Sequence, residues 1–480
     1  MATSSIDVRG GPHPVDDVPP LRRLAPLGLQ HVLAMYAGAV AVPLIVGGAM
    51  ISAGEMSPDD LAHLVVADLF VAGIATILQS VGFWRFGVRL PIMQGCTFAA
   101  VGPMITIGTQ HGITAIYGSV IACGLFIVLL APVFSRLLRF FPPLVTGTVI
   151  LLIGLSLMDV AAGWAGGGAA AEDFGAPSNL LLALFTLVVV LLVERLAPPA
   201  LGRVSILLGI VAGTVVAALA GKVQVQGVAD QAWFGVSTPF AFGLPTFQVG
   251  SVLAMCVVGL VIMTETTGDV LAVGEIVDKP VSPRDIADGM RADGLSTVLG
   301  GVFNTFPYTA FAQNVGLVSM SGVRSRYVAT FAGGILVVLG LIPKLGAVVG
   351  AVPVAVLGGA GIALFGMVAA SGIRTLASCR LDSRALLMVA TALGVGMLPT
   401  VSPEIYAQTP DWFQTVFDSG ISSGALVAIV LHQVLCTSRH TPQEAAAGGP
   451  ARGTADGNVQ AAPTGNRPNA SGGVRVPGRP

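Results

Sequence analysis

The chain has 480 residues, 54% hydrophobic and 10% charged, with a net charge of −1 and a mean hydropathy of +0.83. Soluble domains carry about 25% charged residues, so the composition rules against a soluble protein. There is no basic stripe to hold nucleic acid. Cys96, Cys123, Cys256, Cys379 and Cys436 are scattered and the six histidines are unclustered. Neither set has metal-ligand spacing, so no metal or cofactor is expected.

In chain order, the stretch through Pro20 has no apolar core preceded by basic residues and is not expected to be a signal peptide. A spanning helix needs about 20 apolar residues. On that criterion about fourteen segments are predicted. They centre near residues 39, 70, 98, 124, 152, 186, 211, 258, 296, 315, 337, 361, 392 and 427. Those near 98, 296 and 315 are short or rich in Gly and polar residues. From about His440 the chain is rich in Gly, Pro, Ala and Asn, a composition expected to be disordered.

Charge placement gives an independent check. With the N-terminus inside, Arg22, Arg23, Arg85, Arg89, Arg136, Arg139, Arg195 and Arg203 fall on the cytoplasmic side. So do Lys279, Arg284, Arg324, Arg326, Arg374, Arg380, Arg384 and Arg439, whereas only Lys222 and Lys344 fall outside. The opposite loops carry Glu55, Asp59, Asp60, Glu172, Asp173, Glu404 and Asp411. The asymmetry obeys the positive-inside rule. The reading is therefore an all-α membrane protein with fourteen spans and both termini cytoplasmic.

The two halves echo each other. Pro91 precedes Phe98-Ala99 in PIMQGCTFAAVGPMITIG, and Pro307 precedes Phe311-Ala312 in PYTAFAQNVGLVSMSG. Phe98 to Phe311 is 213 positions, and Pro142 to Pro353 is 211. A unit of seven spans, an odd number, must return upside down, so a 7+7 inverted repeat is expected. Spans 3 and 10 each start with a short extended segment. Non-helical backbone at membrane depth survives only where it lines a cavity or is buried in protein. Half-helices starting near Phe98 and Gln313 would aim their free N–H groups at one point from opposite sides. Such a site suits a polar or anionic solute with carbonyl oxygens, and the two Phe rings offer an apolar or stacking wall.

Glu265 and Asp269 stand one helical turn apart at the end of the charge-free run Val249–Met263, so both point the same way. A charge at membrane depth costs about 2.5–3.5 kcal/mol and normally faces a cavity or a partner. The competing reading is a helix end in headgroup water. Acids at this spacing disfavour double ionisation, and a proton shared by Glu265 and Asp269, with Asp293 as a third member, is a natural coupling site. No P-loop occurs, so gradient coupling rather than ATP hydrolysis is expected. Paired histidines, a nucleophile elbow and a metal constellation are all missing, so an enzyme is not indicated. A channel or anion exchanger with opposed half-helices remains the rival.

Three stretches carry a family resemblance: Leu29-Gln30-His31, TETTGD through GEIV from Thr264, and Gln313-Asn314-Val315-Gly316. From about Leu21 to Thr437 the chain resembles the nucleobase–ascorbate transporter family (nucleobase–cation symporter family 2), in its bacterial urate and xanthine permease branch. Ser321 stands where the family signature usually has Thr. The resemblance implies a cytoplasmic tail (1–24), a core domain (25–140 and 249–350) and a gate domain (141–222 and 351–437). An extracytoplasmic loop (223–248) and a disordered cytoplasmic tail (438–480) complete it. It implies homodimer contacts through the gate and transport of a purine at the cell membrane; the acidic cluster leads to the expectation of proton rather than sodium symport.

By the same resemblance Glu265 accepts hydrogen bonds from substrate ring N–H groups and Gln313 reads an oxo group and its neighbouring nitrogen. Phe98 stacks, and Phe311 and Ala312 line the site. Thr97, His31, Asp269, Asp293 and Asn314 orient the site or tune its protonation. His31 is expected to bond into the span 3 or span 8 network. Relatives with Gln at the position of Gln313 carry purines; uracil transporters usually have Glu there. An amide both donates and accepts, which suits an oxopurine edge. Urate is favoured slightly over xanthine, with uracil or another nucleobase as the alternative.

Overall fold

A computed structural model describes residues 13–436 apart from 59, 138–139, 169–170, 224–227 and 230. The predicted tail 438–480, and the first half of the predicted tail 1–24, lie outside the described residues. After a 3-10 turn (Pro14–Asp16) come α1 (Leu21–Ser52), α2 (Asp60–Val81) and β1 (Gln94–Cys96). A 3-10 turn (Phe98–Ala100) then runs into α3 (Val101–His111). There follow α4 (Ile113–Leu137), α5 (Pro143–Ala165), α6 (Pro177–Leu196), α7 (Pro199–Gly202), α8 (Ser205–Leu219) and α9 (Val249–Ile276). Next come α10 (Pro283–Val302), β2 (Tyr308–Ala310), α11 (Ala312–Ser321), α12 (Arg326–Gly340) and α13 (Pro343–Gly350). The described chain ends with α14 (Val354–Ala377), α15 (Ser383–Val401), α16 (Asp411–Phe417) and α17 (Gly420–Leu431).

Prolines set many of these boundaries. Pro143, Pro177, Pro283 and Pro343 occupy first-turn positions, where the missing N–H costs nothing. Ser282 and Asp285 form a reciprocal capping box at the start of α10. Every predicted centre falls on one of these elements. Among the described residues, however, eight helices are long and apolar enough to cross a membrane alone. A ninth arises if α12 and α13 count together across their 81° bend. The other segments are short (α3, α8, α11, α17) or, like α10, poor in apolar residues.

Glycine decides how the helices cross. The α2–α12 and α4–α10 pairs pack closely. A Cβ added at Gly73 would stand 2.5 Å from the Gly333 carbonyl oxygen, and one at Gly333 would stand 2.8 Å from that of Gly73. At the other crossing a Cβ on Gly124 would lie 2.6 Å from the Gly294 oxygen, and the reverse distance is 2.7 Å. Small residues let backbones meet in lipid, where apolar surface alone gives no drive to associate. The α5–α14 pair uses the same device at Gly372 and Gly358, where an added Cβ would fall 2.3 Å from Leu151 N and 2.2 Å from Ala165 N.

Adjacent glycines on α12 provide a test of this packing. An added Cβ meets backbone at Gly333, whereas nothing lies within 4 Å at Gly334. Gly333→Ala should destabilise detergent-solubilised protein by about 1–3 kcal/mol through overpacking. Gly334→Ala should be neutral or stabilising by up to about 1 kcal/mol through helix propensity. Thermal unfolding of the two variants checks this, and equal losses at both would contradict the close-crossing account.

Candidate functional site

The site is built on a two-stranded antiparallel ribbon. Gln94 pairs with Ala310, Gly95 with Thr309 and Cys96 with Tyr308. Beyond the strands, Thr97 N donates to Pro307 O at 2.9 Å and Phe311 N donates to Met93 O at 3.0 Å. Pro91 and Pro307 favour extended backbone just before each strand. The ribbon pairs backbone groups that neither helix could satisfy, which is what membrane depth demands. Because the strands run antiparallel, α3 and α11 leave the ribbon in opposite directions. Thr97 and Phe311, their leading residues, are four strand positions apart, about 13 Å at the usual rise. Thr97 Oγ1 caps its turn by accepting from Ala99 N at 3.1 Å.

The acids come from α9 and α10. Glu265 is half-buried, and Thr97 Oγ1 donates to its Oε2 at 3.4 Å. That contact joins α9 to the head of the first broken segment. Asp269 is also half-buried and lies within electrostatic range of Glu265 and Asp293. Asp293 is fully buried behind them. It accepts from Gln79 Nε2 at 2.9 Å and forms a short hydrogen bond with the Thr266 hydroxyl. Thr266 Oγ1 is 3.2 Å from Thr309 Oγ1 on β2. No ion pair among the described residues neutralises any of these three acids.

The remaining predicted residues divide into packed and accessible ones. The Phe311 ring fills a slot between α1 and β1: a Cβ on Gly38 would stand 2.9 Å from it and one on Gly95 2.5 Å. Phe98 is buried and meets Phe365 of α14 edge to face, with centroids 5.9 Å apart. Ala312 and Gln313 are exposed at the start of α11, so the Gln313 amide is accessible. His31 joins neither the span 3 nor the span 8 network. Asn314 Nδ2 donates to its Nδ1 and to its carbonyl oxygen, both at 3.0 Å. A neutral ring accepting at Nδ1 carries its proton on Nε2. The bond ties α1 to α11, because Asn314, in the first turn of α11, faces α1.

Asp68, Gln79 and Thr266 escape the sequence reading. Gln79 and Thr266 are ordinary polar residues until the fold sets them on Asp293. Asp68 had a signal, since it is the one acid inside the apolar run from Leu64 to Val81. A cavity of about 650 Å³ lies away from the acids, lined by residues including Ala62, Asn179, Lys222 and Ala351. Its Lys222 is already engaged, by Ser178 at 2.8 Å, Asn179 at 2.7 Å and Asp173 at 3.9 Å. The accessible, unneutralised carboxylates of α9 are therefore the better candidate site.

Known proteins resemble this chain over most of its length. The Nucleobase transporter PlUacP of Paenibacillus larvae is 46% identical, covering 87% of this chain and 96% of its own. The Uric acid transporter UacT of Escherichia coli is 44% identical, covering 88% and 89%. The Xanthine permease of Bacillus subtilis is 44% identical, covering 87% and 96%. Among solved structures, the transmembrane domain of the cyanobacterial bicarbonate transporter BicA aligns with a TM-score of 0.55 at 16% identity, covering 87% of this chain and 99% of its own. SLC26A9 aligns with a TM-score of 0.57 at 13% identity, covering 87% and 66%. These two share the fold. The model described as Permease family (Xan_ur_permease) matches residues 22–405, and the chain, a multi-pass membrane protein, belongs to that family.

Proposed function

We propose that this chain imports an oxopurine, urate or xanthine, across the plasma membrane by proton symport. The observation that carries this reading is the contact of Glu265 with Thr97 at the head of one broken segment, with Gln313 accessible at the head of the other. An oxopurine presents ring N–H donors to a carboxylate, and carbonyl oxygens to an amide or to helix N-terminal N–H groups. Glu265 accepts from the ring, and Gln313 reads an oxo group and its neighbouring nitrogen. Phe98 stacks on the purine; Thr97, Ala312 and the backbone of Phe311 complete the walls. His31 and Asn314 hold α1 against α11. The names of the relatives, a nucleobase transporter, a uric acid transporter and a xanthine permease, support the same substrate class.

The architecture in this reading is fourteen spans in two inverted repeats of seven, with both termini cytoplasmic. The matched glycine crossings support it, because α2 meets α12 as α10 meets α4. Segments 25–140 and 249–350 form the core, and 141–222 and 351–437 form the gate and the homodimer contact. A proton on the cluster of Glu265, Asp269 and Asp293 neutralises part of its charge, so the loaded core can move past the gate. An empty, fully ionised cluster resists that movement.

The rival reading is an anion exchanger, suggested by the shared fold with a bicarbonate transporter. Unpaired carboxylates at the site oppose a bare anion. Urate, although anionic near neutral pH, keeps N–H groups that a carboxylate can accept. Uracil is the rival within the family. Labelled urate should accumulate in cells expressing the chain, compete with xanthine, and ignore excess uracil, sulfate or bicarbonate. A protonophore should abolish accumulation. Competition by bicarbonate, or indifference to the protonophore, would contradict the proposal.

Two variants test the residues. Glu265→Gln should reach the membrane in normal amount yet lose uptake by about 10–100-fold, the loss expected for a hydrogen bond to a charged group; near-normal uptake would remove Glu265 from the site. Gln313→Glu should shift preference away from urate by about tenfold or more, because the amide donor is lost. Unchanged ratios across a purine panel would remove Gln313 as the reader.

A further inference from the structure

Asp68 has no part in the site as described, yet its surroundings connect it to the site's geometry. It lies in the middle of α2 with no exposed surface. Its Oδ1 accepts from Tyr308 Oη at 2.7 Å, from Cys96 Sγ at 2.7 Å and from Thr305 Oγ1 at 3.3 Å. Tyr308 Oη also reaches the Asp68 carbonyl at 3.1 Å. Cys96 and Tyr308 face each other as a cross-strand pair. One carboxylate oxygen therefore holds both strands at a single rung of the ribbon. Farther along α2, Thr76 Oγ1 accepts from Gln94 N at 3.0 Å and grips the other end of β1.

The position of that rung matters. Cys96 immediately precedes Thr97, which caps the first broken segment and donates to Glu265. Tyr308 opens β2, which leads through Phe311 into the accessible start of α11. A three-residue ribbon has few backbone hydrogen bonds of its own, and an isolated two-stranded pair is marginal. A carboxylate receiving three donors in a dry interior is much stronger than the same contacts in water.

We propose that Asp68 is a positioning residue for transport: it fixes the ribbon against α2 and thereby sets the spacing between the heads of α3 and α11. This rests on the proposed oxopurine site, because spacing matters to transport only if the solute bridges those heads. Asp68 touches no solute. It acts through Cys96 on Thr97, and through Tyr308 on Phe311 and Gln313.

The experiment compares wild type with Asp68→Asn, Tyr308→Phe, Cys96→Ser and the double variant Asp68→Asn/Tyr308→Phe, in purified protein and in uptake assays. Hydrogen–deuterium exchange of peptides covering 93–101 and 307–315 should quicken about tenfold in Asp68→Asn, as expected for losing bonds to a charged acceptor. Peptides of α5 and α14 should be unchanged. The KM for urate should rise about five- to tenfold while the maximal rate per transporter stays within about twofold. Cys96→Ser, which keeps a donor, should behave as wild type. The double variant should be no worse than Asp68→Asn alone, because Tyr308 acts through the same carboxylate. Should Asp68→Asn fail to reach the membrane, Tyr308→Phe carries the test, with smaller changes in the same direction.

Unchanged exchange in the ribbon, additive single effects, or a loss of uptake that merely follows protein amount would overturn the proposal. Faster ribbon exchange with an unchanged KM would sever the link from ribbon to solute. A wild-type protein that moves no purine would instead refute the proposed function, and the exchange data would still decide whether Asp68 holds the ribbon.

Discussion

Backbone hydrogen bonding within a membrane protein interior governs this molecule. A helix satisfies its own N–H and C=O groups, but a helix that stops halfway does not. Here two interrupted segments satisfy each other through the Gln94–Cys96 and Tyr308–Ala310 ribbon. The pairing sets the starts of two helices at its two ends, with Thr97 capping one and Phe311 leading into the other. The Thr97–Glu265 contact, the burial of Phe311 and the accessibility of Gln313 all follow from where that ribbon lies.

Small residues make the ribbon possible. Gly38 and Gly95 clear the slot into which the Phe311 ring packs, and the crossings at Gly73–Gly333 and Gly124–Gly294 bring the flanking helices to backbone contact. The matched crossings link residues more than 150 positions apart, so each half of the chain completes the other. Around the ribbon, two buried acids are held by hydrogen bonds: Gln79 and Thr266 bond Asp293, and three donors meet one oxygen of Asp68. Glu265, Asp269 and Gln313 remain accessible. Accessible polar groups beside a buried hydrogen-bonded scaffold are what a solute site requires.

Much of this was legible in the sequence because bilayer thickness imposes one length scale on every span. Hydropathy placed a centre in each of the eight helices long and apolar enough to span alone, and the paired prolines Pro91 and Pro307 marked the broken segments. The isolated acids at Glu265 and Asp269 stood out against an uncharged run. Other features were illegible for identifiable reasons. The partners of Asp293 lie 214 and 27 positions away in sequence, and no local pattern encodes such a meeting. His31 bonds Asn314 on α11 because the ribbon brings α11 back against α1, which hydropathy cannot express. The 81° bend between α12 and α13 falls at Pro343, and hydropathy averaged over the segment does not register such a break. Asp68 is an isolated acid in an apolar run like Glu265, but its partners stand 28, 237 and 240 positions away.

The central claim is that a planar purine bridges the α9 carboxylate and the heads of the two broken segments. The most direct measurement is a structure of the purified protein determined by electron cryomicroscopy with urate bound. The account predicts a flat density within hydrogen-bonding distance of both Glu265 and Gln313, beside the Phe98 ring. Density seated instead in the cavity beside Lys222, with the Glu265 carboxylate untouched, would contradict it.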